Sequence, residues 1–341
     1  NHLMRTILVD PYPRKMELIF TSQKIQALKK NYNLINAPKK NQTLFYEKNI
    51  HKADYIIGQP NLPTSLLKKA SKLKAIFNVE SNFMGNMDYD YCFKNNIYVL
   101  STAPVFAQTV AEIAVGFTLS LKRDIHQSHL DFIQRKEKYG LEGNTNSSLL
   151  KNNKIGFIGF GDLGKSLKPL LEPFTAHFYT YDPWLPEKFI KDSGCTPSSL
   201  KQIFKDCEVV YVLATITSNN QSMIDKKLLK LMKKNSCLLI LSRASVVNFR
   251  DLIQVLKKGK IKVATDVFPE EPVKKNDPLR KEKNILFSAH RAGALNSVFF
   301  EMGEIVYEDL QLMNKNLPPR LCRRAERETV KNLRSKPVDI N

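Results

Sequence analysis

Three polar side chains stand just after short apolar runs in the C-terminal half of this 341-residue chain, and their types suit one kind of chemistry. Arg243 follows "CLLILS", Glu271 lies in the acidic turn after "VATDVF", and His290 follows "ILFSA". A histidine titrates near neutrality, so it can pass a proton to or from an oxygen whose charge changes during a reaction. A guanidinium grips a carboxylate through two parallel hydrogen bonds. A carboxylate beside the imidazole orients the ring and favours its charged form, so Glu271 is expected to raise the His290 pKa. The set fits a reaction at a carbonyl that neighbours a carboxylate. Taken singly, each residue has an ordinary use: a capped strand end, a surface ion pair, a solvated acidic turn.

A second constellation says what drives such a reaction. The stretch "KIGFIGFGDLGKSLKPLL" carries Gly159, Gly161 and Gly164 in the pattern G-x-G-x-x-G, between an apolar strand and a helix. The first glycine permits the tight turn, the second lets a pyrophosphate approach the backbone, and the third lets helix and strand pack closely. Free N–H groups and the positive end of the helix dipole then hold the phosphates. Asp182 ends the next strand, 18 positions after Gly164. A carboxylate there accepts from both ribose hydroxyls and repels a 2′-phosphate, which points to NAD rather than NADP. Hydride transfer to a ketone completes the chemistry: His290 protonates the developing alkoxide and Arg243 holds the adjacent carboxylate.

These residues need a scaffold that brings strand ends together. Short apolar runs at 5–10, 53–58, 73–79 and 97–101 alternate with helical patterns, which implies a parallel sheet with crossovers. "TVAEIAVGFTLSLKRDI" (109–125) reads as a long, largely buried helix, and the polar stretch 139–153 as a loop. Six further strands, at 154–159, 177–182, 208–214, 236–242, 262–268 and 284–289, make a doubly wound sheet. An amphipathic helix, "SVFFEMGEIVYEDLQLMNKN", and a basic tail follow. Ligands of open α/β sheets bind beyond the carboxyl ends of the strands, which puts Arg243, Asp266, Glu271 and His290 on one side.

Length and composition agree with two globular α/β domains: 43% of residues are hydrophobic and 25% charged. The net charge is 53 − 33 = +20. The lysines are dispersed, however, and the one dense basic cluster, "PRLCRRAERETVKNLRSK", has no interleaved aromatics, so no nucleic-acid partner is expected. Apolar runs are short, so no membrane partner is expected either. Five scattered cysteines without a C-x-x-C pair predict buried reduced thiols, no metal site and no disulfides. The N-terminal "NHLMRTILVD" lacks a signal-peptide apolar region, and a cytoplasmic location is the expectation.

The glycine fingerprint and the ordered Arg243, Glu271 and His290 resemble the D-isomer-specific 2-hydroxyacid dehydrogenase family, most clearly from Leu73 to Gly293. The resemblance implies two Rossmann- or flavodoxin-like domains and a homodimer. The NAD domain (104–294) would be inserted into a discontinuous substrate domain (1–103 and 295–341). It implies that Asp266 meets the nicotinamide amide. The helix start Val110, Ala111 and Glu112 matches the family, with Thr109 beside the cofactor. Asp162, Leu163, Ala214, Thr215, Asn220, Leu241, Ser242, Ala292 and Gly293 complete the expected cofactor contacts.

Departures from the family pattern bear on substrate. The carboxylate-binding loop, usually G-x-G-x-D, reads "SNFMGNMD" from Ser81 to Asp88. The backbone N–H groups of Asn82 and Phe83 are expected to grip the carboxylate, with the Phe83 ring reshaping and narrowing the pocket. Ser288 and Ala289 replace the usual Thr-Pro, Thr215 replaces a loop proline, and Arg291 adds a cation at the rim. The expected activity is interconversion of a 2-oxo acid and the D-2-hydroxy acid, with a domain cleft closing on hinges near 102–105 and 291–296. Two alternatives stay open: an NAD-sensing binding protein of the same fold, and a dehydrogenase of formate or phosphite.

Overall fold

The structure, a computed structural model, describes residues 4–80, 82–215 and 219–330. The chain forms two compact units, one from Asn1–Phe106 with Ala294–Asn341 and one from Ala107–Gly293. The first unit opens with β1 (Thr6–Asp10), β2 (Asn33–Asn36), β3 (Tyr55–Gly58), β4 (Ala75–Asn78) and β5 (Tyr98–Ser101). The second carries β6 (Lys154–Ile158), β7 (His177–Tyr181), β8 (Thr196–Pro197), β9 (Val209–Val212), β10 (Cys237–Ile240), β11 (Lys262–Thr265) and β12 (Ile285–Phe287). Back in the first unit, β13 (Arg323–Arg324) closes the series.

The first sheet runs β13-β5-β4-β3-β1-β2, parallel except for β13. Its central strands are buried on both faces, as the unbroken apolar runs at Ile7, Leu8 and at Tyr55, Ile56, Ile57 require. Two strands escape the sequence reading. β2, "NLIN", lies at an edge and has only two apolar residues, and β13 has no apolar signal at all. What holds β13 is the buried Asp309, whose carboxylate accepts from the N–H groups of Arg320, Leu321 and Cys322. Arg324 and Arg327 then lie over the rings of Tyr98 and Phe93, so this part of the basic cluster is docked on the unit. Its remainder, 331–336, lies outside the described residues.

The second sheet is wholly parallel, in the order β12-β11-β10-β9-β6-β7-β8. It has seven strands where six are expected. The extra one, β8, is a two-residue edge strand whose Pro197 no interior strand would tolerate. Alternate residues feed two cores: Val210, Val212, Leu238 and Ile240 on one face, and Val209, Tyr211, Leu239 and Leu241 on the other. The long helix runs Ala107–Arg123 and buries one stripe, Ala107, Ala111, Ala114, Thr118 and Leu121, rather than most of its surface. Together with the preceding turn it is long and apolar enough to cross a membrane. Its stripe nevertheless packs on the helix Asp162–Leu171, and the Thr118 hydroxyl meets the buried Tyr211 hydroxyl at 2.6 Å, as in a core helix. All five cysteines are free and buried.

Candidate active site

The glycine loop of the second unit leaves β6 at Gly159, whose φ of +90° is left-handed. A Cβ there would lie 2.9 Å from the backbone of Ala214, so only glycine fits between β6 and the end of β9. Gly161 caps the helix Asp162–Leu171, and its cap receives no side-chain hydrogen bond. Gly164 faces the Phe160 ring so closely that a Cβ would come within 2.5 Å of it. Asp182, one residue past β7, accepts from the Phe160 N–H at 2.8 Å and the Trp184 N–H at 2.9 Å. A carboxylate has about four acceptor positions, so two remain for ribose hydroxyls. The positive-φ turn, the glycine at the helix N-cap and the anchored carboxylate together fit a dinucleotide.

The remaining expected cofactor residues lie around the same sheet edge. Thr109 is half-buried on the helix that packs over Asp162–Leu171, where Leu163 also lies. Ala214 and Thr215 follow β9, and the Asn220 amide closes that loop by donating to the Thr215 carbonyl at 2.7 Å. Residues 216–218 of the loop lie outside the described residues. Leu241 is buried past the end of β10, and the Ser242 hydroxyl donates to the Val212 carbonyl at 3.2 Å, tying β10 to β9.

The polar side chains expected to do chemistry follow β10, β11 and β12, which are neighbours, so their carboxyl ends form one row. Arg243 is half-buried, with extended backbone, just before the turn Ala244–Val246. Glu271 and His290 meet: Nδ1 lies 2.6 Å from Oε2, while Oε1 accepts from the Phe268 N–H at 3.1 Å. A carboxylate only accepts, so Nδ1 carries the hydrogen and Nε2 is left for a substrate.

His290 has a φ of +47°, a conformation that costs a non-glycine residue about 1 kcal/mol or more unless its surroundings impose it. Asp266 imposes it. This buried carboxylate accepts from the Ser288 hydroxyl at 2.7 Å, the Arg291 N–H at 2.9 Å and the Ala292 N–H at 3.3 Å, bracketing His290 on both sides. Asp266, expected to meet the nicotinamide, therefore also holds the histidine loop, a role not expected from the sequence. Ser288, which stands where the family has threonine, was the available signal. Arg291 is exposed, and Gly293 is the last residue of the unit.

The expected carboxylate loop belongs to the first unit. Ser81 lies outside the described residues. The Phe83 ring is half-buried. It packs edge-on against Tyr89, with ring centroids 6.4 Å apart, at the margin of the unit's own core. An aromatic side chain gains more from that burial than from water, and sequence alone gave no direction for it.

Comparison with known proteins now decides the family. The description "D-isomer specific 2-hydroxyacid dehydrogenase, NAD binding domain" matches residues 115–292, more than half of the chain. The chain belongs to the D-isomer specific 2-hydroxyacid dehydrogenase family. It is an NAD-dependent 2-hydroxyacid dehydrogenase, and its cofactor is NAD(H). A solved phosphoglycerate oxidoreductase from Rhizobium etli is similar at 39% identity, covering 95% of this chain and 99% of that one, with a TM-score of 0.86. The glyoxylate reductase of Thermococcus litoralis is 29% identical over 75% of this chain and 78% of its own. That of Aeropyrum pernix is 24% identical over 92% and 94%. The dehydrogenase thus carries the glycine turn, Asp182 and the Glu271–His290 pair on one unit, at the carboxyl ends of one sheet.

Proposed function

We propose that this dehydrogenase interconverts a 2-oxo acid and the D-2-hydroxy acid, with His290 as acid and base and Arg243 as the carboxylate clamp. The observation that carries the reading is the 2.6 Å contact between His290 Nδ1 and Glu271. It leaves Nε2 to carry the proton that is exchanged, with a carboxylate fixing the other ring nitrogen and Asp266 holding the loop on either side of His290. Bound NADH supplies the hydride. In reduction, His290 gives its Nε2 proton to the carbonyl oxygen and Glu271 balances the charge that the ring carries before transfer; in oxidation the proton returns. Arg243 holds the acid's carboxylate and so fixes which carbonyl is presented. We assign the first unit to the substrate, with the backbone of the loop at Asn82 and Phe83 as its contribution, and Asp266 also to the nicotinamide amide.

The experiment is kinetic. His290→Gln is expected to lower kcat about 10²- to 10⁴-fold, the usual worth of acid–base catalysis. Arg243→Ala is expected to lower kcat/KM by about 10²-fold or more. Both should leave NADH affinity, read by fluorescence quenching, within about twofold. An Arg243→Ala enzyme that reduces 2-oxo acids at the wild-type rate would overturn its role. A panel of 2-oxo acids, formate and phosphite with the matching cofactor form separates the substrate classes.

A homodimer is proposed on the exposed apolar surface of the second unit. The helix Ile125–Ile133 has no buried residue, and Phe132, Ile133, Tyr139 (77% exposed), Leu141 (89%) and Leu149 all face solvent in the single chain. An apolar surface of this kind is what a second copy covers. Light scattering should give twice the chain mass, and Phe132→Glu with Leu141→Glu should halve it. Five free buried thiols suit a reducing compartment, and the cytoplasm is the proposed location.

A further inference from the structure

The end of β4 in the first unit is held by an unusual number of side chains. Val79 is clasped twice: its N–H donates to Gln59 Oε1 at 3.2 Å, and its carbonyl accepts from Arg14 Nε at 2.8 Å. Arg14 is itself fixed, 3.5 Å from Glu80 and with its guanidinium 4.7 Å from the Phe299 ring centroid. Gln59 is pinned by donating to the Tyr12 carbonyl at 2.8 Å.

Within this frame Asn78, only 1% exposed, uses both ends of its amide on the loop that follows. Oδ1 accepts from the Glu80 N–H at 2.7 Å, and Nδ2 donates to the Asn82 carbonyl at 3.2 Å. The peptide unit is planar and trans, so its C=O and N–H point in opposite directions. With the Asn82 carbonyl turned toward a buried amide, the N–H of the same peptide, that of Phe83, is turned away from it. Among the described residues the Phe83 N–H has no hydrogen-bond partner, and neither has the Met84 N–H that follows it. Two successive N–H groups without a partner are donors that an anion can meet. The Phe83 ring against Tyr89, and the Tyr89 hydroxyl on the Met84 carbonyl, hold the far side of the same bend.

We propose that Asn78 is a positioning residue for the substrate: by holding the Asn82 carbonyl it presents the Phe83 N–H to the carboxylate of the 2-oxo acid. The proposal rests on the reading that this loop binds that carboxylate. It assigns the orientation of the donor to a side chain that never touches substrate. Asn78→Asp keeps size and shape, keeps the acceptor for Glu80, and replaces the donor to Asn82 by a repelling oxygen.

The test compares acids with their amides, because a charged carboxylate accepts from the Phe83 N–H far more strongly than a neutral amide oxygen does. With NADH, kcat/KM is measured for pyruvate and hydroxypyruvate and for the corresponding 2-oxo amides. For the wild type the acids should be preferred. In Asn78→Asp the acid-to-amide ratio should fall about tenfold or more, chiefly through KM for the acid, while NADH affinity stays within twofold. A loss of fold would lower acid and amide together and weaken NADH binding, leaving the ratio unmoved. An unchanged ratio in a folded Asn78→Asp enzyme overturns the role of Asn78 and leaves the parent reading standing. A wild type that does not prefer acid over amide overturns the parent reading, and this proposal with it. If Asn78→Asp does not fold, Asn78→Ala removes the same donor without the repulsion and is read in the same way.

Discussion

Both units place a parallel sheet under a set of loops, yet their first strands end very differently. In the second unit β6 runs into Gly159 at φ +90°, then into a helix of 10 residues whose N-cap is Gly161, which has no side chain to cap it. In the first unit β1 runs into Asp10, Pro11, Tyr12 and Pro13, closes a turn in which the Arg14 N–H meets the Pro11 carbonyl, and reaches a helix of only 4 residues. The carboxylates at the two edges diverge in the same way. Asp10 is sealed by the Tyr46 hydroxyl at 2.6 Å and the Gln42 amide, and burial pushes its pKa up. Among the described residues Asp182 is bound by backbone N–H groups alone, and it stays half-open. One architecture therefore yields one edge that can cradle a pyrophosphate and one that presents a carefully held loop. Local turn chemistry decides which.

The largest effect should come from exchanging the logic at glycine. Gly58, at φ +144°, would place a Cβ 2.0 Å from the Asp10 carbonyl oxygen, and Gly159 would place one 2.9 Å from Ala214. Gly58→Ala is expected to destabilise the first unit by several kcal/mol, on the order of strained positive-φ sites with overpacking. NADH binding by the surviving folded fraction should be unchanged. Gly159→Ala should abolish NADH binding at concentrations well above the wild-type Kd. Calorimetry with and without NADH separates the two: ligand raises the Tm of wild type through mass action and should leave that of Gly159→Ala where it was. Equal responses would break the contrast between the edges.

Much of the second unit is legible in the sequence because its chemistry is local. A positive-φ glycine and a strand-ending aspartate are each set by a few neighbouring residues, so G-x-G-x-x-G and Asp182 can be read directly, while Glu271 and His290, 19 positions apart, are read from their places after neighbouring strands. What is not legible depends on contacts distant in the chain. β13 exists because Asp309 reaches it from another element, and β8 because an edge accepts a proline. The direction of the Phe83 ring is decided by Tyr89, and the histidine loop is held by Asp266 from 22 to 26 positions away. Asn78 looks like an interior strand residue of no note until its amide is seen on both sides of the bend.

A smaller effect tests the two carboxylates. Asp182→Ala should narrow the preference for NAD over NADP, since one like-charge repulsion against a 2′-phosphate is removed. The readout is the ratio of kcat/KM for the two cofactors, and a wild type that uses both equally would refute the reading of Asp182. Asp10 should act on stability instead. Its pKa is higher folded than unfolded, so the folded state binds the proton more tightly. Stability from this group is full below the unfolded value of about 3.8 and is lost as pH rises through the folded value. Asp10→Asn should remove that loss, and urea melts at pH 4 and pH 7 should differ less than in the wild type.

The smallest expected effect concerns Arg291, the cation next to His290. Its N–H is held by Asp266, but its side chain is exposed and has no ion-pair partner among the described residues. Arg291 is the cation expected at the rim of the site, where it could meet a second anionic group on the substrate. An exposed charge pair contributes about 0.2–1 kcal/mol, so the change in KM is at most about fivefold. If Arg291 faces the distal end of the substrate, Arg291→Ala should raise KM for 2-oxo acids with a second anionic group and spare monoanionic ones. The difference should shrink between 0.05 and 0.5 M salt, roughly, because the Debye length falls from above 10 Å to below 5 Å. If Arg291 is a solvated surface charge, acids of both classes should respond alike at either salt concentration. A ratio of specificity constants that the mutation leaves unchanged removes Arg291 from the substrate site and leaves Arg243 as the cation that the acid meets.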